Sequence, residues 1–267
     1  MQTNVTNNEH ENSYLKKSDR LKMEDLDWSQ CENSELSRDE AYLLDYFADV
    51  EGQVFFYARD LMNTSSVRFP EVRNFLTIWS YQEHFHSVAL RRILRESKKE
   101  IIDNRDQLLR KKASFAEVLT DFAGHVFSKL FSKDYLALYL TWGAINEAMT
   151  MRGYSEIAQS TKHPVLAELC RRIAKQEAFH FGWYYTKAKE QLAQSSSTQK
   201  MVRYLLSKAW TPVGVGVKTR EEFNQIMTIL FAGDSKREEM VQFIDNSIHQ
   251  LPGLSNLNLF AKYAKSV

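Results

Sequence analysis

Cysteine, proline and glycine are all scarce in this 267-residue chain, at two, four and nine residues. The cysteines, Cys31 and Cys170, stand far apart and in no metal-type spacing. That excludes a disulfide framework and a zinc motif, and it fits a reducing cytoplasm. No run of alternating β-branched residues is long enough to make a sheet, while Leu, Ala, Glu, Lys and Arg recur at helical spacing, so an all-α fold is expected. Long apolar runs are also missing. The greasiest stretch, Tyr135 to Ile145, falls well short of the ~18 residues a membrane span needs, and no membrane association is expected. A net charge of +1 gives no reason to expect nucleic acid as a partner. Residues 1–35 are rich in Asn, Ser, Glu and Lys, and have neither a basic start leading into an apolar stretch nor a cleavage pattern. They read as a mobile polar tail.

What is present is one pattern, twice. Glu51 is followed by Glu83-His84-Phe85-His86, and Glu147 by Glu177-Ala178-Phe179-His180. A carboxylate on one helix and a Glu-x-x-His pair on the next is the ligand set of carboxylate-bridged di-iron and di-manganese centres in helical bundles. Glu and His three apart share a helical face, roughly 60° around the axis, so Glu83/His86 and Glu177/His180 can each address one metal while His84 faces elsewhere. The first pair of carboxylates is 32 residues apart and the second 30. Turns at 63–70 and 161–164 place each glutamate on the order of 18–20 Å into its helix, so that two antiparallel hairpins bring all of them level.

A single Glu-x-x-His in so charged a chain is usually a solvated ion pair. Two of them with matched upstream glutamates, flanked by Phe47, Ala48, Phe55, Ala58, Gly143, Ala144, Met151, Ile173, Ala174, Phe181 and Tyr184, lie on buried stripes instead. There an unpaired charge costs several kcal/mol, and either metal ligation or a buried salt-bridge network must neutralise it.

Capping boxes at Ser37-x-x-Glu40, Ser114-x-x-Glu117 and Thr219-x-x-Glu222 mark helix starts. The first opens a helix running to about Met62. Pro70 opens the next, to about Ser97, and the box at Ser114 suits a crossover helix between the hairpins. Helices over about 134–160 and 164–193 carry the second ligand set. The organisation expected is a tail to residue 35, a ligand-bearing bundle over 36–194, and a helical appendage over 195–267 packed on it. Further helices are expected over about 198–209, 220–232 and 235–250. The segment Trp210 to Lys218 contains Gly-x-Gly without the strand, third glycine or Lys-Ser/Thr of a nucleotide site, and reads as an ordered loop. Arg91, Arg92, Arg95, Lys98, Lys99, Arg105, Arg110, Lys111 and Lys112 crowd 91–112; they complement a helix C-terminus or form a dock for an acidic protein.

These motifs resemble a known family. Trp79-Ser80-Tyr81-Gln82-Glu83-His84-Phe85-His86 resembles the W-T-x-E-E-x-x-H helix of soluble acyl-carrier-protein desaturases, and Asn146-Glu147-Ala148-Met149-Thr150 resembles their Q-E-x-x-T helix. Ile173-Ala174-Lys175-Gln176-Glu177-Ala178-Phe179-His180 is similar to their I-A-x-D-E-x-x-H segment. The resemblance spans about 40–190. It implies a ferritin-like four-helix bundle with a di-iron core in which Glu51, Glu83, His86, Glu147, Glu177 and His180 hold two iron ions, manganese being the alternative, with Glu83 and Glu177 bridging. It places Thr150 beside the oxygen-binding face and Trp79 near the metals on a route for electrons; core packing is the competing reading of both. Two departures stand out. Gln176 replaces an aspartate that orients a metal-bound histidine, and Ile173 stands where N-oxygenases carry an extra histidine.

The activity implied is O2-dependent desaturation of an aliphatic acyl chain on acyl-carrier protein, with a ferredoxin-type electron donor and a homodimeric, cytoplasmic enzyme. Hydroxylation, N-oxidation or C–C cleavage of a specialised metabolite or free fatty acid derivative at the same centre is the alternative. Ferritin-like iron binding without catalysis is the third reading.

Overall fold

The computed structural model describes residues 18–62, 64–99, 132–215 and 217–264, and these contain helices and loops but no β-strand. After one short turn, α1 (Gln30–Asn33), the first long helix is α2 (Arg38–Gly52). The Ser37 hydroxyl accepts from the Glu40 amide while the Glu40 carboxylate accepts from the Ser37 amide, satisfying two donors that a helix start leaves orphaned. The expected continuation to Met62 is interrupted. Gly52, a poor helix former, precedes Gln53, which folds back onto the Val50 carbonyl before α3 (Val54–Met62) begins. The break shifts the helical phase, so Phe55, expected on the stripe of Glu51, is 52% exposed, whereas Ala58 stays buried.

A 3₁₀ turn, Ser65–Arg68, reverses the chain, and Pro70 takes the first position of α4 (Pro70–Glu96), where its missing N–H is no loss. Pro164 does the same for α6 (Pro164–Ala193), which returns along α5 (Ser132–Ser160) after a three-residue link. Two helical hairpins result. α2 packs along α4, α5 along α6, and the hairpins meet where α4 faces α6. The crossover helix expected from Ser114 lies outside the described residues, as do Arg105, Arg110, Lys111 and Lys112. Of the other basic residues, Arg91 faces Asp49, Arg92 stacks over Trp28 and Lys99 faces Glu35.

Four further helices follow: α7 (Ser196–Ala209), α8 (Arg220–Leu230), α9 (Asp234–His249) and α10 (Leu259–Ala264). α7 rests on α5 and α6, α8 on α2 and α5, and α9 on α5. Their Val202, Phe223, Ile244 and Phe260 join Leu44, Phe75, Leu140 and Ile173 in one continuous apolar core. α10 was not expected from sequence. Its first amides are capped from a distance, Phe260 and Ala261 donating to the buried Asp245 carboxylate.

The expected mobile tail is corrected for residues 18–35. Leu21, Met23, Leu26 and Cys31 are buried, α1 lies against α4 and α6, and Arg172 donates to the Lys22 carbonyl and the Asp25 carboxylate. Unevenly spaced apolar side chains hold this strap down, a pattern that tertiary contact creates and local periodicity does not reveal. No helix of the described residues is long and apolar enough to cross a membrane.

Candidate metal centre

The hairpin geometry brings the six residues picked out by the repeated pattern to one place. Glu51 comes from α2, Glu83 and His86 from α4, Glu147 from α5, and Glu177 and His180 from α6, all at 6% exposure or less. They form two overlapping sets. Glu51, Glu83, His86 and Glu177 offer ligand atoms within 4.8 Å of one another, as do Glu83, Glu147, Glu177 and His180. Glu83 and Glu177 belong to both sets, the position of carboxylates that span two metals. His84 lies outside, its ring tilted against Phe55 at 5.1 Å.

Outer and inner edges of the cluster differ. On the outside, Tyr154 Oη–H donates to Glu51 Oε1 at 2.6 Å and Trp79 Nε1–H to Glu147 Oε1 at 3.0 Å, while the Thr150 hydroxyl lies 3.3 Å from Glu177 Oε2 and slightly nearer the Asn146 and Glu147 carbonyls. His86 Nε2 lies 2.8 Å from Gln176 Oε1, and His180 Nε2 lies 2.8 Å from Gln82 Oε1. On the inside, Glu83 Oε1, Glu177 Oε1, His86 Nδ1 and His180 Nδ1 are buried without a hydrogen-bond partner. Imidazole and carboxylate atoms approach there to 2.8–3.7 Å but out of hydrogen-bond alignment. A network built to pair its own charges would align these atoms. A set of donors aimed at a shared ion leaves them as they are. The residues therefore fit a metal pair, with four carboxylates, two imidazoles and no thiolate.

Burial sets the protonation of the metal-free cluster. It pushes the Glu51 and Glu147 carboxyls well up, and the neighbouring charges of Glu83 and Glu177 push further. Burial also raises Glu83 and Glu177, but the neighbouring Glu51 carboxyl and the flanking histidines outweigh it at Glu83, and His180 and His86 do so at Glu177. Burial disfavours charged His86, yet Glu83 and Glu177 bring it up to about 10. His180 is likewise raised, despite burial, by Glu147, Glu177 and Glu83. Without metal, these directions favour charge on His86 and His180 and a proton on Glu51 and Glu147.

A cavity of about 490 Å³ opens against one side of the cluster. Glu51, Glu83, Glu147, Trp79 and Thr150 form its floor. Its walls carry Tyr57, Tyr135, Tyr139, Trp142 and Tyr184 together with the loop residues Thr211 to Val215. The loop is pinned beside Glu51. Gly214 takes φ +87, where a Cβ would collide with the Tyr46 hydroxyl, and Lys218 Nζ lies 2.5 Å from the buried Asp49 Oδ2. Gly143 has its own reason, since a Cβ there would lie 2.5 Å from the Tyr184 ring.

Tyr154 and Gln82 are site residues that sequence reasoning missed. Tyr154 sits two helical turns after Glu147 on the same stripe, and Gln82 precedes Glu83 as Gln176 precedes Glu177, so the repeat itself carried the signal for Gln82. No protein family, curated protein or solved structure matches this chain.

Proposed function

We propose that the chain is an O2-dependent di-iron oxidase on a ferritin-like four-helix bundle, desaturating an aliphatic acyl chain carried on acyl-carrier protein. The observation that carries this reading is the pairing of two overlapping carboxylate–imidazole sets with a cavity that shares Glu51, Glu83 and Glu147 with them. Oxygen and nitrogen donors without sulfur suit iron or manganese, and iron is favoured for changing valence during oxidation. Iron bound there would supply the redox chemistry, O2 being reduced to two waters with two hydrogens from the substrate, two electrons from a ferredoxin-type donor and two protons from solvent.

The chain's own residues supply position and exclusion. Glu83 and Glu177 would span both metal positions, while Glu51 with His86 and Glu147 with His180 complete each set. Trp79 orients the Glu147 carboxylate, and the Thr150 hydroxyl, shared with the Asn146 and Glu147 carbonyls, lies 3.3 Å from Glu177 at the cavity floor. The aromatic walls and the loop over 211–215 would shield a bound alkyl chain from bulk water.

A second reading, oxygenation of a specialised metabolite or a free fatty acid derivative, is supported by the wall chemistry: Tyr57, Tyr135, Tyr139, Trp142 and Tyr184 stand among the aliphatic Val50, Val54, Leu61, Val213 and Val215, and their polar tips suit a substrate with polar groups. Mass spectrometry of an acyl-carrier-protein panel, incubated with ferrous-loaded protein, O2 and a ferredoxin reducing system, separates the two. Loss of two hydrogens from one chain length supports the desaturase. Gain of an oxygen supports the oxygenase, and no change across the panel refutes an acyl-carrier substrate.

A further inference from the structure

A backbone carbonyl of the strap formed by residues 18–35, that of Asp19, accepts from two side chains that reach the candidate metal centre. Gln82 and Gln176 stand immediately before Glu83 and Glu177, and each reaches across to the histidine of the other helix, Gln82 to His180 and Gln176 to His86. The opposite end of each side-chain amide, Nε2, lies 3.0 Å from a single acceptor, the carbonyl oxygen of Asp19. A carbonyl accepts and cannot donate, so both amide nitrogens must face Asp19 and both amide oxygens must face imidazole. Each ring then presents Nε2–H outward, which leaves Nδ1 for the centre of the cluster.

We infer that the strap is a positioning element of the metal centre: the Asp19 carbonyl, acting through Gln82 and Gln176, fixes the tautomer and orientation of both histidines, so strap attachment and metal affinity are coupled. This rests on the metal reading of the cluster. The two ends of a carboxamide have nearly the same shape, so a glutamine released from Asp19 can turn over and offer its NH2 to the ring. Such a ring must accept at Nε2 and carry its proton on Nδ1, where it blocks the metal. Neither glutamine is a ligand, and Asp19 lies 63 residues from Gln82 and 157 from Gln176, so the coupling joins distant parts of the chain.

Two variants test it in the full-length protein. Leu21→Asp places a charge on a strap side chain that is 2% exposed and is neither a ligand nor a glutamine of the relay. Gln176→Leu removes one amide and leaves the strap's own side chains intact. Cobalt(II) affinity is read by competition with a chelator, strap attachment by hydrogen exchange, and fold by circular dichroism. Either variant, folded and with an exchanging strap, should bind cobalt about 10–100-fold more weakly than wild type. Wild-type affinity in a folded variant with its strap released overturns the inference and leaves the metal centre standing. If Leu21→Asp does not fold, unchanged affinity in Gln176→Leu overturns it equally. Failure of the wild type itself to take up cobalt is a different result, which removes the metal reading and this inference with it.

Discussion

Adding a divalent metal to the metal-free protein at neutral pH should release between two and four protons per chain. Two are the imidazolium protons of His86, whose pKa is raised to about 10, and of His180, raised in the same direction. Up to two more come from Glu51 and Glu147, whose carboxyls burial and neighbouring carboxylates push well up. Charge neutrality explains the limit. Four protons and two divalent ions balance the same four carboxylates with the same charge in a core that tolerates little imbalance. Because protons compete with metal, affinity must fall as pH falls and rise as pH climbs toward the raised values. The steepness of log K against pH equals the number released. Calorimetry in several buffers of different ionisation enthalpy counts the protons directly. Release of fewer than one proton per chain refutes this protonation scheme and the charge balance built on it.

Three further outcomes follow from individual contacts. Tyr154→Phe removes the hydroxyl that donates to Glu51 at 2.6 Å in a fully buried site, and denaturant unfolding should show a loss of about 1–3 kcal/mol with metal stoichiometry unchanged. Gly143→Ala sets a methyl group 2.5 Å from the Tyr184 ring. It should cost about 1–3 kcal/mol and, by displacing a cavity wall, lower substrate turnover more than metal content. Lys218→Met takes the ammonium from beside buried Asp49, whose carboxylate also faces Arg91 at 3.5 Å. A loss of about 3–5 kcal/mol in thermal or denaturant unfolding is expected.

The clustering of the six Glu and His side chains was legible because its signal is local and repeated: helical spacing fixes which side chains share a face, and matched distances to two turns bring those faces level. Helix starts at Ser37, Pro70, Pro164 and Thr219 were legible for the same reason, since capping residues act within one turn. What escaped depends on distant partners. Gln53 breaks the helix after Glu51 and turns Phe55 outward, Asp245 caps α10 from another helix, and the strap is held by Arg172 and by glutamines far along the chain. The loop over 211–215 was expected to be ordered. Its place on the cavity wall follows from Tyr46, Asp49 and Lys218, which no local pattern links.

Iron content after anaerobic ferrous reconstitution and desalting, measured by elemental mass spectrometry on wild type, Glu147→Ala and Glu177→Ala, tests the metal centre most directly. Two irons per wild-type chain and fewer in both variants are expected, with helical circular dichroism largely retained. Two irons in both variants, or none in the wild type, would contradict the metal reading.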